Sequence, residues 1–201
     1  MTSSSGIGRL KPAPLGRITS GNVQLDAILS GGFPSNTINM LMGEPGSGKT
    51  ILAEALIFAN ASPDGRPILY LTTLSEPLEK VVRSLFRIIK EHNIQRVVVD
   101  AIGDLIVAAS DLNRLCSYLY ALVQHFIARR VVCMMTLETT SSGVVPMEGQ
   151  ISALTDAILR LGVEHDGDKA RRTLQIVKAR GTNHDLNVQE LRITSAGVEV
   201  G

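Results

Sequence analysis

The stretch GEPGSGKT, at Gly43–Thr50, constrains the fold more than any other part of this 201-residue chain. It follows INMLM (Ile38–Met42), which predicts a buried strand, and it precedes ILAEALIFANA, whose spacing predicts a helix packed on a sheet. The stretch fits the pattern G-x-x-x-x-G-K-[ST], in which glycines let backbone N–H groups wrap around phosphates at the start of a helix. This order of elements predicts an α/β protein that binds a nucleoside triphosphate.

The same loop assigns chemical roles to its residues. Lys49 supplies a positive charge to the β and γ phosphates, and the Thr50 hydroxyl can bind Mg²⁺. Asp100 ends the apolar strand RVVVD (Arg96–Asp100), where a second group for the magnesium site, the Walker B aspartate, is expected. The alternative is that Asp100 caps a following turn. The predicted nucleotide-binding residues are Gly43, Glu44, Pro45, Gly46, Ser47, Gly48, Lys49 and Thr50.

A third carboxylate is a candidate for catalysis. Glu76 follows the predicted strand ILYLTT (Ile68–Thr73) in the turn LSEP, where it could orient or deprotonate an attacking water. Taken alone, Glu76 is equally consistent with a residue at the start of a helix, where the helix dipole favours a negative charge.

Predicted strands and helices alternate along most of the chain. The helix LCSYLYALVQHFIARR has one apolar face, and strand VVCMMTL follows it. This alternation predicts a mostly parallel central sheet with helices on both faces. After about Ile151, AILRLGVE, RRTLQIVKAR and QELRITSAGVEV predict hairpins that extend one edge of the sheet with antiparallel strands. The apolar helix face consists of Leu115, Tyr118, Leu119, Leu122 and Phe126.

Composition excludes several classes of protein. Hydrophobic residues make up 44% and charged residues 19%, which is typical of a globular chain. The net charge of +1 gives no bulk attraction to nucleic acid or anionic lipid, and no stretch has the length of apolar sequence that a membrane span needs. Residues 1–17 predict a flexible leader without the apolar core of a secretory signal, followed by one domain at 18–201. Cys116 and Cys133 lack metal-ligand spacing and predict reduced core residues of a cytoplasmic protein.

Two cations lie one residue apart near the end of the chain. Lys178 and Arg180, in KARGTNHD, follow the apolar-rich run TLQIV. Strand residues two apart point to the same face, so we expect both side chains to reach in one direction. On the pair alone, a solvated strand face is favoured over an anion-binding site.

From about Ile18 to Val200 the chain resembles the KaiC-like and RadA-like ATPases of the RecA superfamily, and it is more similar to the KaiC-like proteins than to RecA proper. The approach to the P-loop carries the pattern "LD..L.GG.P", and ISALTDAILRL, KARGTNHD and ELRITSAGVEV follow in the order seen in KaiC-like domains. The resemblance implies a RecA-like P-loop NTPase fold that binds ATP with Mg²⁺. It also implies a homo-oligomer in the form of a hexameric ring. The identity of any other protein partner is unknown. The residues of the approach pattern are Leu25, Asp26, Leu29, Gly31, Gly32 and Pro34.

The resemblance also implies a role for the two cations. The lysine and arginine of the K-x-R-G motif in KaiC-like rings project into the nucleotide site of the neighbouring subunit. Lys178 and Arg180 match those positions. Together with Lys49 and Glu76 they are the predicted catalytic residues, and the anion that they reach would be a γ-phosphate.

The chain departs from the family in three places. The usual pair of glutamates reads Ser75–Glu76, which implies slow hydrolysis if the first of the pair is the base. Ser152 falls where KaiC has a phosphorylated serine, but Ala153 replaces the adjacent threonine, so a two-site phosphorylation cycle is not expected. Only one helix is predicted between Glu76 and Asp100, where the family usually has a further helix and strand, so the chain is internally shortened.

Two alternatives to a ring-forming ATPase stay open. A RadA-type recombinase paralogue would act on DNA, but the corresponding stretches AIGDLIVAASDLN and TTSSGVVPMEGQ contain no lysine or arginine. Phosphate contacts dominate the affinity for nucleic acid, so nucleic acid is not an expected partner. A nucleotide-gated scaffold would bind ATP in order to assemble and would hardly hydrolyse it.

Overall fold

The computed structural model describes residues 16–58, 67–72, 78–108, 111–139 and 148–201. The strands in these ranges are β1 (Arg17–Ile18), β2 (Phe33–Pro34), β3 (Ile38–Gly43), β4 (Ile68–Thr72), β5 (Arg96–Asp100), β6 (Val132–Glu138), β7 (Ala157–Asp166), β8 (Lys169–Ala179), β9 (Gln189–Thr194) and β10 (Gly197–Val200). The helices are α1 (Val23–Ile28), α2 (Lys49–Phe58), α3 (Leu78–His92), α4 (Ile102–Ala108), α5 (Leu112–Arg129) and α6 (Glu148–Leu154).

The main sheet, as far as these ranges describe it, has the strand order β10-β9-β8-β7-β3-β6-β5-β4. The strands from β7 to β4 pair with their neighbours in parallel, and β8, β9 and β10 continue the sheet with antiparallel pairs. The predicted mostly parallel sheet with an antiparallel carboxy-terminal extension is therefore confirmed. Strands β1 and β2 form a separate antiparallel pair, so Arg17 of the predicted leader lies in a strand.

Helices cover both faces of the sheet, and each face has its own hydrophobic core. In β3, Ile38, Met40 and Met42 pack into the core that also contains α3, α4 and α5. Leu41 faces the opposite way and packs with residues of α1 and α2. This alternation follows from the two-residue period of a strand, and it explains why β3 reads as a continuous apolar run.

Helix α5 packs through the apolar face that its sequence predicts. Leu115, Leu119, Leu122 and Phe126 are buried, whereas Tyr118 is half-buried and lies under the guanidinium of Arg114. Within the described ranges no helix is both long enough and apolar enough to cross a membrane.

The two cysteines differ in burial. Cys133 is buried in β6, as the sequence predicts, and burial raises the pKa of its thiol. Cys116 of α5 is only half-buried, because it lies beside the apolar face of the helix rather than in it. Both are free thiols.

The register of the parallel strands brings four strand ends to one edge of the sheet. Gly43, the last residue of β3, pairs with Glu138 of β6 and with Leu161 of β7. Thr72 of β4 pairs with Asp100 of β5 at the same edge. The carboxyl ends of parallel strands are where α/β proteins bind ligands, so this edge contains the candidate site.

Gly43 has no room for a side chain, and its substitution tests the packing of this edge. A Cβ at Gly43 would lie 2.4 Å from the backbone oxygen of Leu161, which cannot move without shifting β7. We expect Gly43→Ala to lower the free energy of unfolding by about 1–3 kcal/mol in a urea titration. Gly149→Ala is the matched control, because a Cβ there meets nothing within 4 Å. Equal stability of the two variants would contradict the close approach.

Candidate nucleotide-binding site

The loop between β3 and α2 has the backbone that a phosphate-binding loop needs. Gly46 has φ 78° and Gly48 has φ 97°, values that side chains other than hydrogen rarely allow. Helix α2 begins at Lys49, immediately after the loop, so the positive end of the helix dipole lies at the loop. The hydroxyl of Ser47 is buried and, among the described residues, has no hydrogen-bond partner. A buried cradle with an unused hydroxyl fits a bound phosphate group.

Two long-range hydrogen bonds hold the P-loop in position. The Val163 N–H donates to Glu44 Oε1 at 3.0 Å, which ties the loop to β7. Arg172 of β8 donates from Nε to the Gly46 carbonyl at 3.0 Å. Both contacts join residues more than a hundred positions apart, and no local sequence pattern predicts them.

Lys49 is a buried cation at the centre of the site. Its side chain is 8% exposed, and Nζ donates to the backbone oxygen of Glu44 at 2.8 Å. Burial lowers the pKa of Lys49, while the negative charges of Glu138, Asp100 and Glu44 act in the opposite direction. A partly desolvated ammonium surrounded by carboxylates is a point charge suited to a phosphate.

Asp100 accepts hydrogen bonds from three hydroxyl groups. Oδ2 accepts from Thr50 Oγ1 at 2.9 Å and from the phenol of Tyr70 at 2.7 Å, and Oδ1 accepts from the hydroxyl of Thr136. Burial alone would raise the pKa of Asp100, but these three hydrogen bonds and the charge of Lys49 outweigh burial and lower it. The carboxylate is therefore kept in its ionised form.

The structure brings together Thr50 and Asp100, the two residues that the sequence predicts for magnesium. A hydroxyl and an ionised carboxylate whose oxygens are 2.9 Å apart are the oxygen donors that Mg²⁺ prefers, together with phosphate oxygens and water. The residues present therefore fit MgATP. The carboxylate of Asp100 is engaged by hydroxyls of three other elements, which a simple turn cap would not require.

Sequence reasoning missed three residues at this edge. Tyr70 and Thr136 donate hydrogen bonds to Asp100. Of the negative charges that raise the pKa of Lys49, Glu138 has the largest effect. Glu138 and Thr136 belong to β6, which the sequence predicts as a strand beside the others. The rule that parallel strands end at one edge could have found Glu138 from the sequence.

Glu76 lies outside the described residues, as do Ser75 and the rest of the stretch 73–77. Its predicted role therefore stays a prediction.

Lys178 and Arg180 lie at the opposite edge of the sheet from the P-loop. Lys178 pairs with Ile158 of β7, whereas Gly43 pairs with Leu161 three residues further along that strand. Strand β8 runs antiparallel to β7, so Arg180 lies further still from the P-loop, roughly 15–20 Å from the level of Gly43 at about 3.3 Å per residue. The separation is too large for either side chain to serve the P-loop of its own chain.

The environments of the two cations differ. The ammonium of Lys178 donates to the backbone oxygens of Ser152 and Thr155, at the carboxyl end of α6. Burial and the charge of Arg180 lower the pKa of Lys178, against the raising effect of Asp156. The side chain of Arg180 is exposed.

A P-loop that joins a parallel strand to a helix, with one strand between it and the strand that ends in an aspartate, defines a RecA-like P-loop NTPase. The family model for the KaiC ATPase matches residues 18–84 and 72–201. The chain therefore belongs to the KaiC family of ATPases.

Known proteins of this family are similar over most of the chain. The circadian clock protein KaiC3 of Synechocystis is 23% identical over 223 aligned residues, which cover 92% of this chain and 43% of KaiC3. A UPF0273 protein of Methanopyrus kandleri is 26% identical over 232 residues, which cover 92% of this chain and 91% of that protein. The chain thus spans less than half of KaiC3 and nearly the whole of the UPF0273 protein.

A solved structure shares the fold. The crystal structure of a KaiC-like protein from Pyrococcus horikoshii OT3 superimposes with a TM-score of 0.82 at 22% identity, and the match covers 94% of this chain and 100% of that one. At this identity the likeness shows the RecA-like α/β fold.

Replacement of the two cations tests their different environments. We expect Lys178→Met to lower the free energy of unfolding by about 1–2 kcal/mol, because α6 loses two charge-assisted hydrogen bonds at its carboxyl end. Arg180→Met is the matched control, and its exposed side chain should change stability by less than about 0.5 kcal/mol. Urea unfolding followed by circular dichroism measures both, and equal losses would contradict the assignment.

Proposed function

We propose that this protein binds MgATP and hydrolyses its β–γ bond, as a cytoplasmic homo-oligomer in which each subunit completes the site of its neighbour. The observation that carries the nucleotide assignment is the contact of 2.9 Å between Thr50 and Asp100, beside the buried ammonium of Lys49. A phosphate-binding loop, its cation and two oxygen donors for magnesium meet at one point of the sheet edge.

The residues of this chain divide the work of hydrolysis. The backbone from Gly43 to Gly48 cradles the phosphates, and Lys49 places its charge on the β and γ groups. Thr50 and Asp100 hold Mg²⁺, which when bound neutralises charge on the phosphate oxygens. Glu76 orients the attacking water, so that oxygen approaches the γ-phosphorus in line with the bond to ADP.

The in-trans role of the cations rests on the topology of the sheet. Arg180 is exposed and lies at the edge opposite its own P-loop, so a phosphate can reach its guanidinium only from another molecule. In a ring, this edge of one subunit would face the P-loop of the next. Lys178 contacts α6 and so holds the neighbouring backbone in place, and it would join Arg180 at the phosphate by exchanging those carbonyl oxygens for phosphate oxygens.

Loss of Lys49 should remove most of the nucleotide affinity. We expect Lys49→Ala to weaken MgATP binding at least tenfold in a calorimetric titration, because the loop loses its buried charge-assisted donor. Lys169→Ala removes an exposed lysine on the β7–β8 hairpin and should leave the affinity unchanged. Unchanged binding by Lys49→Ala would remove the assignment of the P-loop.

Mixing two damaged proteins tests the shared site. Asp100→Asn damages the side with the P-loop, and Arg180→Ala damages the side with the cation. Under the in-trans arrangement, an Arg180→Ala subunit beside an Asp100→Asn subunit forms some intact sites from two undamaged halves. We expect the mixture to recover phosphate release after subunit exchange, although each variant alone is at least tenfold slower than the parent.

The control for this experiment is independent evidence of exchange, from fluorescence transfer between labelled subunits. If the mixture shows only the sum of the two residual rates while exchange occurs, the in-trans role of Arg180 is wrong.

A nucleotide-gated scaffold is the second candidate, and two observations favour it. Ser75 replaces the first of the two family glutamates. The alignment with KaiC3 has 223 positions but covers only 92% of 201 residues, about 185, so KaiC3 has segments that this chain lacks. Measuring ATP binding and phosphate release on the same sample separates the two candidates, because a scaffold binds ATP and assembles without releasing phosphate.

A further inference from the structure

The hydrogen bond between Tyr70 and Asp100 connects β4 to the candidate magnesium site. Tyr70 lies on the strand beside Asp100, and its phenol oxygen is 2.7 Å from Asp100 Oδ2. Its ring is half-buried and packs against the core under α1 and α2, which fixes the direction of the hydroxyl. The nucleotide-binding motif does not include Tyr70, and neither does the division of catalytic work above.

A count of the acceptor positions of Asp100 shows what this contact can do. An ionised carboxylate has about four lone-pair positions, and in this chain hydroxyls of Thr50, Tyr70 and Thr136 occupy three of them. Thr50 is itself a predicted magnesium ligand, whereas Tyr70 and Thr136 come from the strands on either side of β5. Thr50 and Tyr70 both donate to Oδ2, so the position left free is on Oδ1, which accepts from Thr136. The two strand hydroxyls therefore hold the carboxylate from both sides and fix its orientation towards Thr50.

We propose that Tyr70 is a positioning residue for the magnesium site, which acts by fixing the orientation of the Asp100 carboxylate. This inference rests on the proposed function, because it assumes that Asp100 and Thr50 hold Mg²⁺ with a nucleotide. Outer groups that orient metal ligands raise metal affinity by roughly tenfold or more. Tyr70 therefore strengthens the metal-dependent part of nucleotide binding and leaves the metal-independent part, from the loop and Lys49, unchanged.

The alternative is that the phenol only stabilises the fold, like any other buried hydroxyl with a partner. Loss of such a role would change the unfolding midpoint. It would alter the affinity for the nucleotide equally in the presence and absence of metal. The ratio of the two affinities is therefore the informative quantity.

The test uses the full chain with Tyr70→Phe, which removes one oxygen atom and keeps the ring. ADP is titrated by calorimetry in EDTA and then at a series of Mg²⁺ concentrations, and Mn²⁺ binding to the ADP complex is measured by electron paramagnetic resonance. We expect the affinity in EDTA to change less than twofold, and the gain from Mg²⁺ and the affinity for Mn²⁺ to fall roughly tenfold. Tyr120→Phe, which makes the same chemical change at a side chain 58% exposed, should match the parent throughout.

The outcomes are distinct. An unchanged gain from Mg²⁺ in Tyr70→Phe overturns the proposal, and so does an equal loss of affinity with and without metal, which would mean that Tyr70 supports the pocket as a whole. If the parent protein itself binds no ADP in either condition, the proposed function fails first, before any comparison of variants.

Discussion

The carboxylate of Asp100 is the point on which the site depends. Helix α2 and strands β4 and β6 each place one hydroxyl on it, through Thr50, Tyr70 and Thr136. These contacts need β5 to lie between β4 and β6 in parallel register. Removing an ionised carboxylate from water is costly unless hydrogen bonds replace the lost water. The three hydroxyl donors therefore stabilise the charge of Asp100, and the carboxylate in turn holds the three hydroxyls in place. The carboxylate proposed to hold Mg²⁺ is thereby fixed in position before a nucleotide binds.

The change from parallel to antiparallel pairing at β7 and β8 determines where the remaining cations lie. Because β8 runs back along β7, the residues that follow it reach the edge opposite the P-loop. Strand β8 starts on the P-loop side, where its Arg172 contacts Gly46. One strand thus supports the phosphate-binding loop with its first half, and the exposed Arg180 follows its far end. If Arg180 acts in trans as proposed, this topology is the physical reason for the chain to work as an assembly.

The sequence predicts the elements that follow from a short-range pattern. The strand, P-loop and helix from Ile38 to Phe58, and the position of Asp100, follow from apolar periodicity and from the rule that parallel strands end together. It does not predict the partners of Asp100 and Lys178, because those depend on register and on α6, a helix within a stretch that reads as a loop. Lys178 and Arg180 do not share their surroundings as the two-residue strand period predicts, because β8 ends at Ala179 and Arg180 lies in the turn that follows.

The shortening expected between Glu76 and Asp100 need not disturb the pairing of the strands. A parallel crossover needs only a connection of about a dozen residues, usually a helix, and in the described part of the connection α3 supplies it between β4 and β5. With that helix the pairing of β4 with β5 extends over all five residues, from Ile68 with Arg96 to Thr72 with Asp100. Strand β4 is the last strand on this side of the sheet among the described residues, so an element added next to it would lie at the side of the sheet and not at the carboxyl ends of the strands, where the P-loop is. This chain keeps Tyr70 and Thr50 in contact with Asp100, so slow hydrolysis would be expected from the replacement at Ser75 rather than from the sheet.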